Sequence, residues 1–491
     1  MTPSAPTSSA LSLLNQHWQR SQAIHSPAYD WLGEFVNGDR LRDEIERERL
    51  SLSALLVRPE EPAPKGLVVG ISLPDSIENL ILGAAVVLEG ICQAIVPIHA
   101  PRGEQLNLIQ RFCLTHWIGL NNPADQGSWE LIGRTSQGLG CWRHQRQTHS
   151  HCSDESSATT EPLPDPLLFL GTTSGTTGQP GLVSRNCRRI LNLVLENRWT
   201  PYNLVTRPLI IPDLQNWSSR LNKILLVLKS QGFVCREAMA GLADHPLPPD
   251  CDGTLMAPGA LRQRLARGDL LHCPANFLII SGSDRVPPEL RRAVVKLGTV
   301  ALGITYATSQ TGPLTWLPPE AVLNESDSVG WLLGDVAMEP IEGSSGLQQG
   351  TLSFSEVLIS TPHTTFNPGD LLAVTPSGEV IFGGRSNDIF LFNSNMISPF
   401  EIEDVLRQHP GVEDCAAFGA HSDRFGGIPM AAVIIKSGWN TEITILELET
   451  VCRNSLGTRR PRRLIPVEVI PRGSTGKALR RELGLTYALQ Q

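Results

Sequence analysis

Apolar and polar positions along the chain fall into blocks of strand and helix length. Residues 67–73 form a nearly unbroken apolar run, and Ser76 then precedes Ile77, Glu78, Asn79 and Leu80. Such a run suits a strand buried on both faces, and a serine ahead of a helical pattern suits an N-cap. The next window, residues 80–98, approaches transmembrane length but contains Glu89, Gln93, Gly83 and Gly90. It predicts a buried helix followed by a strand over 94–98, not a membrane span. Strand, helix, strand is the order of a parallel sheet covered by helices. A second unit of this kind is predicted from a strand at 209–211, a helix over 221–228 and a strand at 233–235. Residues 135–166 are polar and low in aliphatics, and read as a loop or linker. No internal repeat is visible.

Composition narrows the picture. A chain of 491 residues exceeds what one compact core accommodates, so two or three domains are expected. A net charge of −8 argues against nonspecific nucleic-acid binding. The ten cysteines include no C-x-x-C pair and read as reduced thiols. Residues 1–14 lack a basic segment followed by an apolar core, so no signal peptide is evident and a cytoplasmic protein without a membrane span is expected. His144, His149, His151 and Cys152 crowd the polar segment, but their spacing matches no standard structural zinc pattern.

The most informative chemistry lies at residues 170–178, L-G-T-T-S-G-T-T-G, directly after the apolar run 167–170. Gly171, Gly175 and Gly178 permit close approach of backbone N–H groups to an anion, and Thr172, Thr173, Ser174, Thr176 and Thr177 add hydroxyl donors. A strand emptying into such a loop is suited to phosphate, although plain surface turns share the composition. No lysine follows Gly178, so this is not a Walker P-loop.

Four further segments follow in order. Tyr306-Ala307-Thr308-Ser309-Gln310-Thr311 succeeds the apolar stretch Val300-Ala301-Leu302-Gly303-Ile304. Then come Gly369-Asp370, Gly383-Gly384-Arg385-Ser386-Asn387-Asp388 with Pro399-Phe400-Glu401-Ile402-Glu403, and Pro471-Arg472-Gly473-Ser474-Thr475-Gly476-Lys477. Together these resemble the adenylate-forming superfamily: acyl- and aryl-CoA synthetases, peptide-synthetase adenylation domains and firefly-type luciferases. The resemblance runs from about Leu55 to Leu483. It implies an α/β fold with a large N-terminal domain, residues 1–387, made of helix-covered sheets plus a small β subdomain. A smaller mobile α+β C-terminal domain, residues 388–491, would carry the catalytic lysine.

The implied reaction is attack of a carboxylate on the α-phosphorus of ATP, followed by transfer of the acyl group to a phosphopantetheine thiol of CoA or of an acyl or peptidyl carrier protein. The resemblance makes Lys477 the catalytic residue and Thr173, Ser174, Gly175, Thr176, Thr177, Gly178, Tyr306, Asp370 and Arg385 the ATP/AMP-binding set. Tyr306 would flank the adenine, Asp370 would accept the ribose hydroxyls, and Arg385 would contact ribose or phosphate. Asn387 would be the hinge, and Gln310 with Thr173 would lie at Mg2+.

Several positions depart from the family pattern. Gln310 replaces a glutamate, and a neutral ligand is weaker for a hard dication. Gly181 replaces a lysine; Arg185, Arg188 and Arg189 follow and are candidates to replace that cation, or else form a solvated helix start. Ser394 stands for a glycine beside the expected pantetheine path. The acyl pocket is assigned to Asn216, Trp217 and Gly303, with Asp213 as an alternative anchor for an α-amino group and core packing as an alternative role for Trp217. The basic run Arg459-Arg460-Pro461-Arg462-Arg463 reads either as a surface for CoA phosphates or an acidic carrier, or as a solvated turn. The substrate expectation is an aryl or aliphatic acid. The rivals are a stand-alone amino-acid-activating enzyme and a binding or scaffold homologue with impaired turnover.

Overall fold

The structure, a computed structural model, describes residues 27–29, 35–56, 67–123, 128–145, 167–172, 182–186, 189, 203–210, 214, 217–229, 234–235, 246–308, 310–324, 327–343, 347–349, 352–362, 364–393, 395–422, 426–472 and 478–488. A large α/β domain is followed by a smaller one. The apolar run at 67–73 forms the strand Val68–Ser72, every residue of it buried. Ser76 caps the helix Ile77–Leu88 by accepting from the N–H of Asn79, which satisfies one of the unpaired donors at the helix start. The apolar window thus divides into that buried helix and the strand Cys92–Ile95.

These elements build a seven-stranded sheet ordered Trp129–Arg134, Gly140–His144, His116–Gly119, Val68–Ser72, Cys92–Ile95, Leu167–Thr172, Leu182–Asn186. The four central strands, from His116–Gly119 to Leu167–Thr172, run parallel, and the outer pairings are antiparallel. The linker reading of 135–166 is corrected in part, because Gly140–His144 is a strand with Cys141 and Trp142 buried. Its few apolar side chains suffice, since successive residues of a strand point to opposite faces and Cys141 and Trp142 each enter a separate core. His144 lies at its end with its ring edge-on to Trp129, 4.8 Å between centroids. Cys113 is disulfide-bonded, which corrects the expectation of reduced thiols throughout, whereas Cys92, Cys141, Cys251, Cys273, Cys415 and Cys452 are in no disulfide.

The second predicted unit comprises the strand Leu209–Ile210, the helix Trp217–Lys229 and the strand Val234–Cys235, the two strands pairing in parallel. Arg220 of this helix is fully buried and donates to Gln93 Oε1 at 2.7 Å, to Asn79 Oδ1 at 2.5 Å and to the Asn79 carbonyl at 3.2 Å. Burial lowers its pKa to about 9, opposed by Asp75. The guanidinium fastens this helix to the Ile77–Leu88 helix and the Cys92–Ile95 strand. A parallel sheet, Gly253–Met256, Phe277–Ser281 and Val300–Ile304, follows. Beyond it lies an antiparallel sheet along Thr315–Trp316, Ser328–Leu332, Val380–Arg385, Asp370–Val374, Leu352–Thr361 and Ala337–Pro340. Among the described residues, no helix is long and apolar enough to cross a membrane.

The smaller domain has its own core, drawn from residues between Phe392 and Leu483. A five-stranded sheet carries the helices Pro399–Arg407, Thr441–Leu456 and Arg480–Thr486. A carboxylate is sunk in this core. Glu403 is 1% exposed, receives the Ala417 N–H at 2.9 Å, and is gripped by Arg480 at 2.7 Å and Arg407 at 2.9 Å. Burial alone would raise its pKa, but the two arginines and the backbone donor bring it down to about 2.

A depressed carboxylate contributes stability that is complete above its unfolded pKa and disappears as pH falls through the folded value. The smaller domain is therefore expected to lose stability between about pH 4.5 and pH 2. Glu403→Gln is expected to cost about 3 kcal/mol or more at pH 7, by leaving two buried guanidiniums short of a carboxylate. Urea unfolding at pH 7 and pH 3 checks this: the variant should be less stable at pH 7 and less sensitive to acid than the wild type.

Candidate functional site

The site is built where the parallel strands end and the antiparallel sheet begins. Leu167–Thr172 pairs antiparallel with Leu182–Asn186, Thr172 opposite Leu182, so the hydroxyl-rich segment between them leaves and re-enters the sheet at one point. Thr173, Ser174, Gly175, Thr176, Thr177, Gly178 and Gly181 themselves lie outside the described residues, as do Asn216, Ser394 and Lys477. Trp217 opens the helix Trp217–Lys229, and only its backbone is described.

Asp370 opens the strand Asp370–Val374 directly opposite Arg385, the last residue of Val380–Arg385. Its side chain is buried, with Oδ1 lying 3.1 Å from Arg385 Nε. Oδ2 accepts the hydroxyl of Tyr306 at 2.6 Å. Gly369, just before it, adopts φ 70, which lets the chain turn into the strand while the Gly369 carbonyl accepts from the N–H of Ser386 at 3.0 Å. Antiparallel pairing thus brings Asp370 and Arg385 together, and Tyr306 arrives from the strand Val300–Ile304. Burial raises the tyrosine pKa well above its usual value, and the neighbouring Asp370 raises it further. The phenol remains a donor, and its ring rests 6.0 Å from that of Phe382. Arg385 is half-exposed, so it can turn toward an anion.

Gln310 is exposed in the turn between Ala307–Thr308 and Gly312–Pro313, a two-stranded hairpin also joined by the Thr308 and Thr311 hydroxyls at 3.0 Å. Its amide oxygen can offer a dication one neutral oxygen, with no carboxylate supplied by the same turn. Asn387 is exposed in the single turn Ser386–Asp388, between the strands Val380–Arg385 and Phe390–Phe392. Gly303 is buried under Trp316, where an added Cβ would lie 2.1 Å from the indole. The indole, which comes from the Thr315–Trp316 strand, fills the space a side chain would need, so only glycine fits here without a shift.

Arg189 corrects another expectation. It is neither solvated nor available to phosphate: both oxygens of Asp335 accept from it at 2.8 Å, and the carbonyls of Thr311 and Pro313 accept at 2.9 and 2.6 Å. It pins the base of the Gln310 hairpin. Its acidic partner stands 146 residues away, too far for local pattern to reveal. The basic run is likewise partly engaged, Arg459 with Glu401 at 2.7 Å and Arg462 over the Phe392 ring at 5.1 Å.

This two-domain architecture recurs in solved structures. The ATP-bound MatB of Rhodopseudomonas palustris superposes with a TM-score of 0.74 over 97% of this chain and 99% of that one, at 18% identity. O-succinylbenzoate coenzyme A synthetase of Bacillus subtilis, solved with ATP and magnesium ion, gives 0.73 over 96% and 98%, also at 18% identity. The fold is that of adenylate-forming enzymes. Residues 401–477 match the AMP-binding enzyme C-terminal domain family. The chain is thus similar, in its fold throughout and in sequence over part of its length, to the AMP-binding, adenylate-forming superfamily. Among curated relatives, the mitochondrial medium-chain acyl-CoA ligase of Rattus norvegicus is 28% identical over 222 residues, 40% of this chain and 36% of that protein. The match thus spans about a third of that relative.

Removing the Asp370 carboxylate is expected to raise the apparent KM for ATP more than it lowers kcat, because a ribose contact serves ground and transition states alike. Tyr306→Phe is expected to move KM in the same direction by a smaller factor, since Asp370 loses one donor but keeps Arg385. An ATP titration of each variant tests the assignment, and a normal KM with Asp370→Ala would place the nucleotide elsewhere.

Proposed function

We propose that the protein activates a carboxylic acid with ATP and passes the acyl group to a thiol, acting as an AMP-forming acid–thiol ligase. The observation that carries this reading is the convergence of Asp370, Tyr306 and Arg385 where the Val300–Ile304 strand ends and the Asp370–Val374 and Val380–Arg385 strands pair. A buried carboxylate with one oriented donor retains acceptor capacity for a vicinal diol, and a half-exposed arginine beside it suits ribose or phosphate. The relatives include an oxalate–CoA ligase of Saccharomyces cerevisiae, 29% identical over 124 residues, 25% of this chain and 22% of that protein, which favours CoA as the acceptor. A phosphopantetheinyl carrier is the second acceptor under this reading.

In the first half-reaction, a substrate carboxylate oxygen forms a bond to the α-phosphorus of ATP. The bond from that phosphorus to the bridging oxygen breaks, and pyrophosphate leaves with its electron pair. The enzyme's work is mainly positioning and charge neutralisation. Asp370, oriented by the Tyr306 hydroxyl, would fix the ribose while the Tyr306 ring flanks the adenine, Arg385 would meet negative charge beside it, and backbone donors of residues 173–178 would cradle phosphate oxygens. Lys477 would bridge the carboxylate and the α-phosphate, where charge gathers in the transition state. Magnesium would supply further neutralisation at the phosphates, with the Gln310 amide oxygen and the Thr173 hydroxyl as its protein ligands. In the second half-reaction, a thiolate forms the thioester and AMP departs with the former carboxylate oxygen. The domain boundary is placed at 387/388, with Asn387 as the pivot; a hinge needs permitted dihedrals more than it needs charge.

The substrate class proposed is an aryl or aliphatic acid. ATP–pyrophosphate exchange over a panel of aryl, fatty and amino acids tests the reading, and no exchange with any of them would favour a nucleotide-binding scaffold. Lys477→Ala is expected to lower exchange about 10²-fold or more while ATP binding persists, the scale of losing one electrostatic stabiliser. Unchanged exchange in a folded variant would remove the lysine from the chemistry. Gln310→Glu is expected to lower the Mg2+ concentration for half-maximal exchange, since a carboxylate adds a formal charge to the ligand set. Identical Mg2+ curves would show that the turn does not reach the metal.

A further inference from the structure

Arg285 lies just after the Phe277–Ser281 strand and is almost wholly buried, with 5% of its side chain exposed. Its Nε and Nη2 donate to the two oxygens of Asp327, each at 2.7 Å. Its Nη1 and Nη2 donate to the two oxygens of Asp404, each at 2.6 Å. The ring of Phe400 covers one guanidinium face at 4.8 Å. Asp327 precedes the Ser328–Leu332 strand of the large domain, whereas Phe400 and Asp404 lie on the helix Pro399–Arg407 of the small one. One side chain therefore joins two domains through two separate forks.

The arrangement carries a conformational cost that indicates its importance. Asp327 has φ 62, the left-handed region that glycine enters freely and an L side chain enters at a penalty. A carboxylate stands there all the same, and it holds Arg285. Since Asp327 and Arg285 both belong to the large domain, their pair does not need the small domain; it presents the remaining donors already aimed. The apolar side of the joint lies around Phe400, whose ring is 6.0 Å from Phe382, and a Cβ on Gly384 would lie 3.1 Å from it. Apolar contact alone tolerates sliding, whereas a planar fork on a carboxylate fixes both register and angle.

We infer that Arg285 is a positioning residue that seats the small domain on the large one, held in place by Asp327 and closing on Asp404. The consequence concerns the loop bearing Lys477. Arg472 pairs with Asp414 and forms a β-bridge with Ala478, so both ends of segment 473–477 belong to the small domain and travel with it. The seat of Asp404 thereby sets where that loop is held relative to Asp370 and Arg385, a step that rests on the activity proposed above.

The seat is tested on the full chain without reference to activity. Trypsin cleavage after half-exposed Arg385, at the junction between the domains, is followed by mass spectrometry as release of fragment 386–491. Cleavage after exposed Arg267, inside the large domain, is the control. Asp404→Asn keeps shape but removes the charge, and should speed the junction cut about tenfold or more while the Arg267 cut stays within twofold. Arg285→Lys, which keeps charge but loses the fork, should give an intermediate rate and serves if the first variant fails to fold. An unchanged junction rate in folded protein, or equal acceleration at both sites, would overturn the seat. The functional half is read by pyrophosphate exchange. Asp404→Asn should lower kcat about tenfold with KM for ATP within twofold, because the nucleotide contacts lie in the large domain. A faster junction cut with unchanged kcat would overturn the positioning role while leaving the joint. Absence of exchange in the wild type with every acid would sink the proposed activity, and the proteolysis would still decide the seat.

Discussion

A carboxylate taken out of water must be compensated, and at Asp370 that requirement organises the site. The residue is buried at the start of a strand, where an uncompensated charge would protonate or unfold its surroundings. Compensation arrives from two directions: Arg385 across the antiparallel pairing and the Tyr306 hydroxyl from the end of the parallel sheet. Two sheets are thus tied at one acceptor. The nucleotide reading depends on this junction, because only a carboxylate already oriented by protein donors meets a diol without first paying for its own ordering.

The same physical device recurs away from the site. Arg189 pins the Gln310 hairpin to Asp335 and two carbonyls, Arg220 fastens two helices to the first sheet, and Arg285 joins the domains. Each is nearly or fully buried, and each uses a planar fork where a lysine would offer a single point charge. Arg220 differs in having only neutral acceptors bonded to it, and burial depresses its pKa accordingly. Where carboxylates face the guanidinium, as at Arg285 and Arg407, they outweigh burial and raise it. The departures from the family pattern look different in this light. Gly181 removes a cation, and the nearby Arg189 does not restore it, being committed to holding the hairpin.

Much of the framework was legible in the chain. Apolar runs at 67–73 and 300–304 gave strands because burial on both faces leaves no polar alternation, and Ser76 gave a helix start because its oxygen satisfies a local donor. The family resemblance set Asp370 and Arg385 in one site, and the structure pairs them across neighbouring antiparallel strands. The strand at Gly140–His144 was missed because, in a polar stretch, it carries only two apolar side chains, Cys141 and Trp142, one for each face.

The sequence by itself determined the strand and helix blocks, the family resemblance and the identities of the residues that bear charge, because these follow from spacing within a few residues or from motif order. Tertiary structure alone decided which charges are spent and which remain. Arg189 and Asp335 are 146 positions apart, and Arg285 and Asp404 are 119 apart. An arginine's availability is a property of the carboxylate that reaches it, and a contact made by folding across such distances leaves no local trace in the chain.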